Sequence, residues 1–300
     1  MPAEAKQTET VIEIETVIET ETVIETEPVD QTETETQSET DGKRFVLDLS
    51  KNLSARGDRI AEFVCPESGY VTAQGCCFDG ECWVVAFNRF DQNGEECTLL
   101  CKYDPEGNPV GTSDGPLYLE HANNISYLPE EEAYYVTSCQ GTIRECWDGY
   151  SIVDKGTLEV LEKGTLDAPF FAMAYCPERQ AYASGRWSGE ILDFWDSHRH
   201  ITLTRDVKAS GTLSQGVFAT KDYVFFVRSS RTLPVDGVDV YFHQELRVYD
   251  WNGDLLTDIP LELQGDAESE SVNIVDGKMY VTSNQGGSAL LYRVVFTESE

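Results

Sequence analysis

Gln74-Gly-Cys-Cys-Phe-Asp-Gly-Glu-Cys-Trp-Val-Val85 is an apolar run, an Asp-Gly turn and a second apolar run. β-branched and aromatic residues on either side of Asp-Gly read as strand, tight turn, strand. The same half-unit returns as Asn123-Asn-Ile-Ser-Tyr-Leu-Pro-Glu-Glu-Glu-Ala-Tyr-Tyr-Val136 and as Phe171-Ala-Met-Ala-Tyr-Cys-Pro-Glu-Arg-Gln-Ala-Tyr-Ala183. It returns again as Gln215-Gly-Val-Phe-Ala-Thr-Lys-Asp-Tyr-Val-Phe-Phe-Val227 and Glu270-Ser-Val-Asn-Ile-Val-Asp-Gly-Lys-Met-Tyr-Val281. The spacing is near 48 residues, and a fixed period of that length marks one supersecondary unit repeated.

The other half of each unit is a third strand entering a tight turn. It is clearest in Leu99–Asn108, which ends Tyr-Asp-Pro-Glu-Gly-Asn, and in Leu246–Gly253, which ends Tyr-Asp-Trp-Asn-Gly; Ile191–Asp196 and Tyr150–Gly156 are looser versions. A four-stranded sheet of this kind has two apolar faces and cannot bury both alone. Packing such sheets radially buries them, and the result is a β-propeller.

The expected fold is therefore all-β: a five-bladed β-propeller of four-stranded antiparallel blades over 43–300, preceded by a disordered acidic N-terminal tail over 1–42. Blades are expected at about 70–118, 119–168, 169–210, 211–266 and 267–300. The last unit runs out after three strands, and Arg44–Leu49, within 43–50, is the expected closing strand that supplies the missing outer one.

Composition agrees with this division. The 300 residues carry 54 acidic and 22 basic groups, a formal charge of −32, with 40% hydrophobic and 11% aromatic residues. Residues 1–42 hold 13 of the acidic groups, one Lys and no aromatic residue, and Val-Ile-Glu recurs at Val11, Val17 and Val23. Low hydrophobicity with high charge predicts disorder there. The charge argues against nucleic acid, which requires Lys and Arg clusters, and against anionic lipid. No stretch approaches the roughly 18–20 apolar residues of a membrane span, and Met1–Lys6 carries no secretory pattern. Nine cysteines, an odd number, several of them inside strand patterns, fit a reduced, cytoplasmic setting better than a disulfide scaffold.

This pattern resembles the five-bladed propellers and, more loosely, the NHL, gluconolactonase-like and WD40/YVTN-type propellers, over about 43–300. The openings at Gln74-Gly75, Gln215-Gly216 and Glu270 are also similar to the plant-type glutaminyl cyclase family, although that family's full active-site pattern is not matched. The resemblance implies, as one reading, an acyl- or sugar-processing enzyme using Glu270 and His121. Fold alone licenses no activity.

In such a blade the inner strand begins on the face where the second strand ends. The strand starts Gln74, His121, Asn123, Phe171, Gln215 and Glu270 should therefore share one channel mouth with the loops after the second strands. Those loops carry Arg89, Arg144, Arg186, Arg228 and Arg231, five of thirteen arginines and none of nine lysines, together with Trp187. Guanidinium groups suit bidentate recognition of carboxylate or phosphate. The favoured expectation is a monomeric, non-catalytic binding module for an anionic small molecule, an acidic sugar or an acidic protein segment. The competing expectations are that these arginines only neutralise nearby carboxylates, that the protein is an enzyme, or that it is a scaffold. No metal site or cofactor is expected: Asp91-Gln-Asn-Gly starts like a calcium loop but lacks the twelfth-position Glu and reads as a turn.

Overall fold

The computed structural model describes residues 44–138, 147–186, 188–208, 211–231, 241–264 and 268–299. The expected tail, 1–42, lies outside the described residues.

Among the described residues twenty strands form five blades, and within each blade sequence neighbours pair antiparallel. The first blade is β2 (Thr72–Phe78), β3 (Trp83–Phe90), β4 (Glu96–Tyr103) and β5 (Pro109–Thr112). The second is β6 (Ile125–Leu128), β7 (Ala133–Ser138), β8 (Gly149–Asp154) and β9 (Val160–Thr165), and the third β10 (Ala172–Cys176), β11 (Ala181–Gly185), β12 (Ile191–Trp195) and β13 (Ile201–Asp206). The fourth is β14 (Leu213–Ala219), β15 (Val224–Arg231), β16 (Tyr241–Tyr249) and β17 (Leu255–Leu263). The fifth joins β18 (Glu268–Val275), β19 (Lys278–Gln285) and β20 (Ser288–Glu298) to β1 (Leu53–Val64), which pairs antiparallel with β20.

The closing strand is thus Leu53–Val64, not Arg44–Leu49. The earlier segment has the right alternation, yet Phe45 packs against Phe225 and Phe296 at 5.6 and 6.0 Å between ring centroids and Leu47 enters the core, with no strand formed. β1 lacks a continuous apolar run because it is the outermost strand. Leu53, Ala55 and Phe63 face inward while Asp58, Arg59 and Glu62 meet solvent. Its first residues also pair in parallel with β17, Ala55 opposite Leu261, which ties the fourth blade to the fifth.

Each blade interface has its own apolar cluster. Cys76, Phe87 and Cys101 pack with Phe63 and Leu291 between the fifth and first blades, whereas Cys77, Val84 and Leu100 pack with Tyr134 and Val136 between the first and second. Adjacent Cys76 and Cys77 therefore face opposite sides, as strand alternation requires. The other interfaces are centred on Tyr135 with Trp195, on Phe194 with Phe226, and on Val227 with Val281.

The turns repeat as well. After the third strand, Asp104, Asp154, Asp196 and Asp250 each accept backbone N–H groups of the following turn, for example Asn108 N to Asp104 Oδ1 at 2.7 Å and Asp254 N to Asp250 Oδ1 at 2.9 Å. The Asn108 side chain at Asp104, and the backbone bonds at Asp154 and Asp196, hold these carboxyls below the usual carboxylate range. Asp91 accepts from Asn93 and Glu95 in the same way, so its segment is a turn.

Candidate functional site: the channel mouth

Three inner strands break register near their starts. The pairing of β2 slips between Ala73 and Cys76, that of β14 between Ser214 and Val217, and that of β18 between Ser269 and Ser271. Such bulges re-aim side chains, and here they release Gln74, Gln215 and Glu270 from the ladder. The glycine after each Gln has a steric cause. A Cβ on Gly75 would lie 2.7 Å from the Ala122 carbonyl oxygen, and one on Gly216 would lie 2.5 Å from that of Glu270. The Gln-Gly openings are therefore where neighbouring inner strands touch around the channel.

Polar side chains link those strands. Asn124, 1% exposed, donates to Met173 O at 2.9 Å and accepts from Val217 N at 3.1 Å, so one amide joins the second, third and fourth blades. Asn123 donates to Phe171 O at 3.4 Å, and Asn273 donates to Cys76 O at 3.0 Å. The sequence singles out Asn123 and not Asn124; both are buried in the Asn-Asn opening, and only their partners on other blades separate their roles.

Between the fourth and fifth blades the mouth becomes acidic. Gln215 donates to Ser229 Oγ at 3.2 Å and to a carboxylate oxygen of Glu268. Glu270 is 3% exposed, and its Oε1 has no hydrogen-bond partner among the described residues. Burial pushes its carboxyl well above the usual carboxylate range, and Glu268 adds to the rise. The hydroxyls of Ser214, Ser269 and Ser283 are likewise buried and without a partner among the described residues.

His121 stands apart, between the first and second blades. Its Nδ1 is 2.8 Å from Glu96 Oε1, and its carbonyl accepts from Asn88 Nδ2 at 2.7 Å. Glu120 and Ala122, on either side, hold φ of 55° and 46°, a left-handed backbone that non-glycine residues seldom adopt. Trp147, not singled out in the sequence, stacks on Phe171 with ring centroids 5.7 Å apart.

The described arginines are engaged by the fold. Arg228 is 1% exposed; it donates to Thr212 Oγ1 at 2.8 Å, Gly189 O at 3.1 Å, Ser188 O at 3.3 Å and Thr212 O, and lies 3.6 Å from Glu245. It latches the third blade to the fourth and offers no free donor edge, contrary to the expectation that it faces an anion. Arg186 pairs with the buried Asp193 at 3.4 Å, and Arg89 lies 4.6 Å over the Tyr70 ring with Cys97 as a hydrogen-bond partner. Arg144, Trp187 and the side chain of Arg231 lie outside the described residues. Of Arg89, Arg186 and Arg228, only Arg228 is closed off by the fold; the other two stay half-exposed.

The opposite mouth holds a cavity of roughly 320 Å³ lined from all five blades, with Phe78, Tyr127, Tyr175, Phe218 and Ile274 at matching inner-strand ends. The sequence reading missed it because these residues look like ordinary strand-end apolar positions. Among the described residues no three His, Cys, Asp or Glu side chains are grouped to hold a metal ion, and no helix is long and apolar enough to cross a membrane.

No family model matches the chain, and no curated protein matches it. Solved structures do. A glutaminyl cyclase from Myxococcus xanthus aligns with a TM-score of 0.54 at 11% identity, covering 82% of this chain and 99% of that one. The tail fiber of Staphylococcus aureus phage P68 aligns at 0.50 and 10% identity, over 83% of this chain and 53% of that one. The Pan2 WD40 domain of Neurospora crassa reaches 0.45 at 8% identity, over 83% and 97%. At these identities the likeness is one of fold, the β-propeller.

Proposed function

We propose that the protein is a binding module whose channel mouth, between the fourth and fifth blades, takes a neutral or cationic hydrogen-bonding group such as an amide or amine. The observation that carries this reading is Glu270, a buried carboxyl held well above the usual carboxylate range whose Oε1 has no partner among the described residues, beside the Glu268 carboxylate that Gln215 bonds. Buried polar groups normally have partners, and a ligand supplies one. Of the arginines expected to take an anionic ligand, Arg228 has its donors engaged within the fold, while Arg89 and Arg186 are half-exposed beside Tyr70 and Asp193.

A second reading has one observation in its favour. A carboxyl with a raised pKa is suited to act as a general acid or base, which fits Glu270 for an acyl-transfer reaction, while His121 pairs with Glu96. Thermal-shift and calorimetric titration of the full chain with small amides, amines, sugar acids and phosphates separate these readings. Binding of amides or amines that survives in Glu270→Gln and fails in Glu270→Leu supports the binding module. Ammonia release from an N-terminal glutaminyl peptide that Glu270→Gln abolishes supports the enzyme. Stabilisation by anions alone overturns both.

A further inference from the structure

Strand alternation brings two cysteines together across the junction where the ring closes. On β1, Ala61 and Phe63 face the first blade, and Cys65, the residue after the strand, continues that face. On β4, Leu99, Cys101 and Tyr103 face back. The two faces are held in place by contacts on both sides of the pair: Tyr103 Oη donates to Val64 O at 2.7 Å, and the Phe63 and Tyr103 rings lie 4.8 Å apart. Between these contacts Cys65 and Cys101 stand in one apolar cluster, each thiol near enough to shift the other's proton affinity. Cys65 is half-buried and Cys101 is fully buried.

We propose that Cys65 and Cys101 form a redox-active dithiol that a small-molecule disulfide converts to an intramolecular disulfide, stapling the closing strand of the fifth blade to the first blade. Cys65 is the attacking group, because it is the accessible member. The neighbouring Cys101 lowers the Cys65 thiol below its ordinary value, whereas Cys65 and burial push Cys101 up. The thiolate is the nucleophile in such exchange.

The steps balance. The Cys65 thiolate attacks one sulfur of RSSR, forming the mixed disulfide Cys65–S–S–R and releasing RS⁻, which takes a proton from water. Cys101 then loses its proton to water, attacks the Cys65 sulfur and displaces the second RS⁻. Two protein thiols are oxidised and one RSSR is reduced to two RSH. The bond closes a chain segment from Cys65 to Cys101 that includes β2 and β3, so it restricts the unfolded chain.

The test uses the full chain and glutathione disulfide. Reduced protein is equilibrated in glutathione buffers of increasing oxidised fraction, then alkylated and analysed as non-reduced peptides by mass spectrometry, with thermal melts in parallel. The expected result is a linked peptide pair containing Cys65 and Cys101, with a melting temperature several degrees above that of the reduced protein. Both signals should vanish in Cys65→Ser and in Cys101→Ala, and persist in Cys82→Ser. In the wild-type protein, which needs no substitution, iodoacetamide should label Cys65 faster than the half-buried Cys82. Glutathione retained on Cys65 without a link to Cys101 overturns the proposal. So does the absence of any Cys65–Cys101 peptide across the series.

Discussion

Replacing Arg228 by Met separates a structural guanidinium from a ligand-binding one. The side chain is 1% exposed and its donors meet Thr212 Oγ1, Thr212 O, Ser188 O and Gly189 O, with Glu245 at 3.6 Å. Methionine fills most of the volume but leaves three carbonyl oxygens and a carboxylate in a buried site. Removing one partner of a buried ion pair costs about 3–5 kcal/mol, because the remaining charge stays buried. At roughly 2–4 °C per kcal/mol for a domain of this size, the melting temperature should fall by about 6–20 °C. The assay is a urea or thermal unfolding curve read by tryptophan fluorescence, with exposed Arg56→Met as the comparison. Arg56 meets only Asp58, at 3.3 Å on the surface, and its replacement should cost less than about 1 kcal/mol. If Arg228 were poised for a ligand, its removal would relieve a buried cation, and stability would hold or rise. A loss below about 1 kcal/mol would refute the latch.

Glu270→Gln should make the protein more stable at pH 8 but not at pH 4: the folded carboxyl binds its proton more tightly than the unfolded one, so wild-type stability falls as pH rises above the unfolded value, and glutamine removes that slope. Melts at the two pH values check it, and an unchanged difference between wild type and variant refutes it. Gly216→Ala, whose Cβ would meet the Glu270 backbone at 2.5 Å, should cost about 1–3 kcal/mol. Gly111→Ala, with open space around it, should stay within about 0.5 kcal/mol in the same unfolding assay. A chain beginning at residue 65 lacks β1 and its pairing with β20 and β17. It should lose the cooperative melt that a chain beginning at Arg44 retains, as followed by circular dichroism.

The ring was legible because its cause is periodic. Apolar alternation, the Asp turn after each third strand and the unit spacing all recur, so each blade's reading supports the next. β1 was not legible, since an outermost strand has one wet side and its apolar positions thin to Leu53, Ala55 and Phe63. Blade geometry assigns Gln74, Gln215 and Glu270 to inner-strand starts, and the structure adds a bulge at each that the sequence does not announce. Their chemistry did not follow, because partner choice depends on contacts between blades. Arg228 turns to the carbonyls of the third blade, and nothing near it in sequence announces Ser188 and Gly189. Asn124, the Cys65–Cys101 contact and the cavity at the opposite mouth are likewise meetings of residues from different blades, which periodicity cannot pair.

The reading of the mouth rests on a carboxyl that stays protonated at neutral pH. Carbon-13 labelling of the glutamate side chains, with a pH titration of the carboxyl resonances by NMR in the wild type and in Glu270→Gln, measures this directly. The account predicts one glutamate that remains protonated above pH 7 and whose signal is missing from the variant. If every glutamate titrates below pH 6, Glu270 is an ordinary carboxylate and the neutral hydrogen-bonding mouth is contradicted.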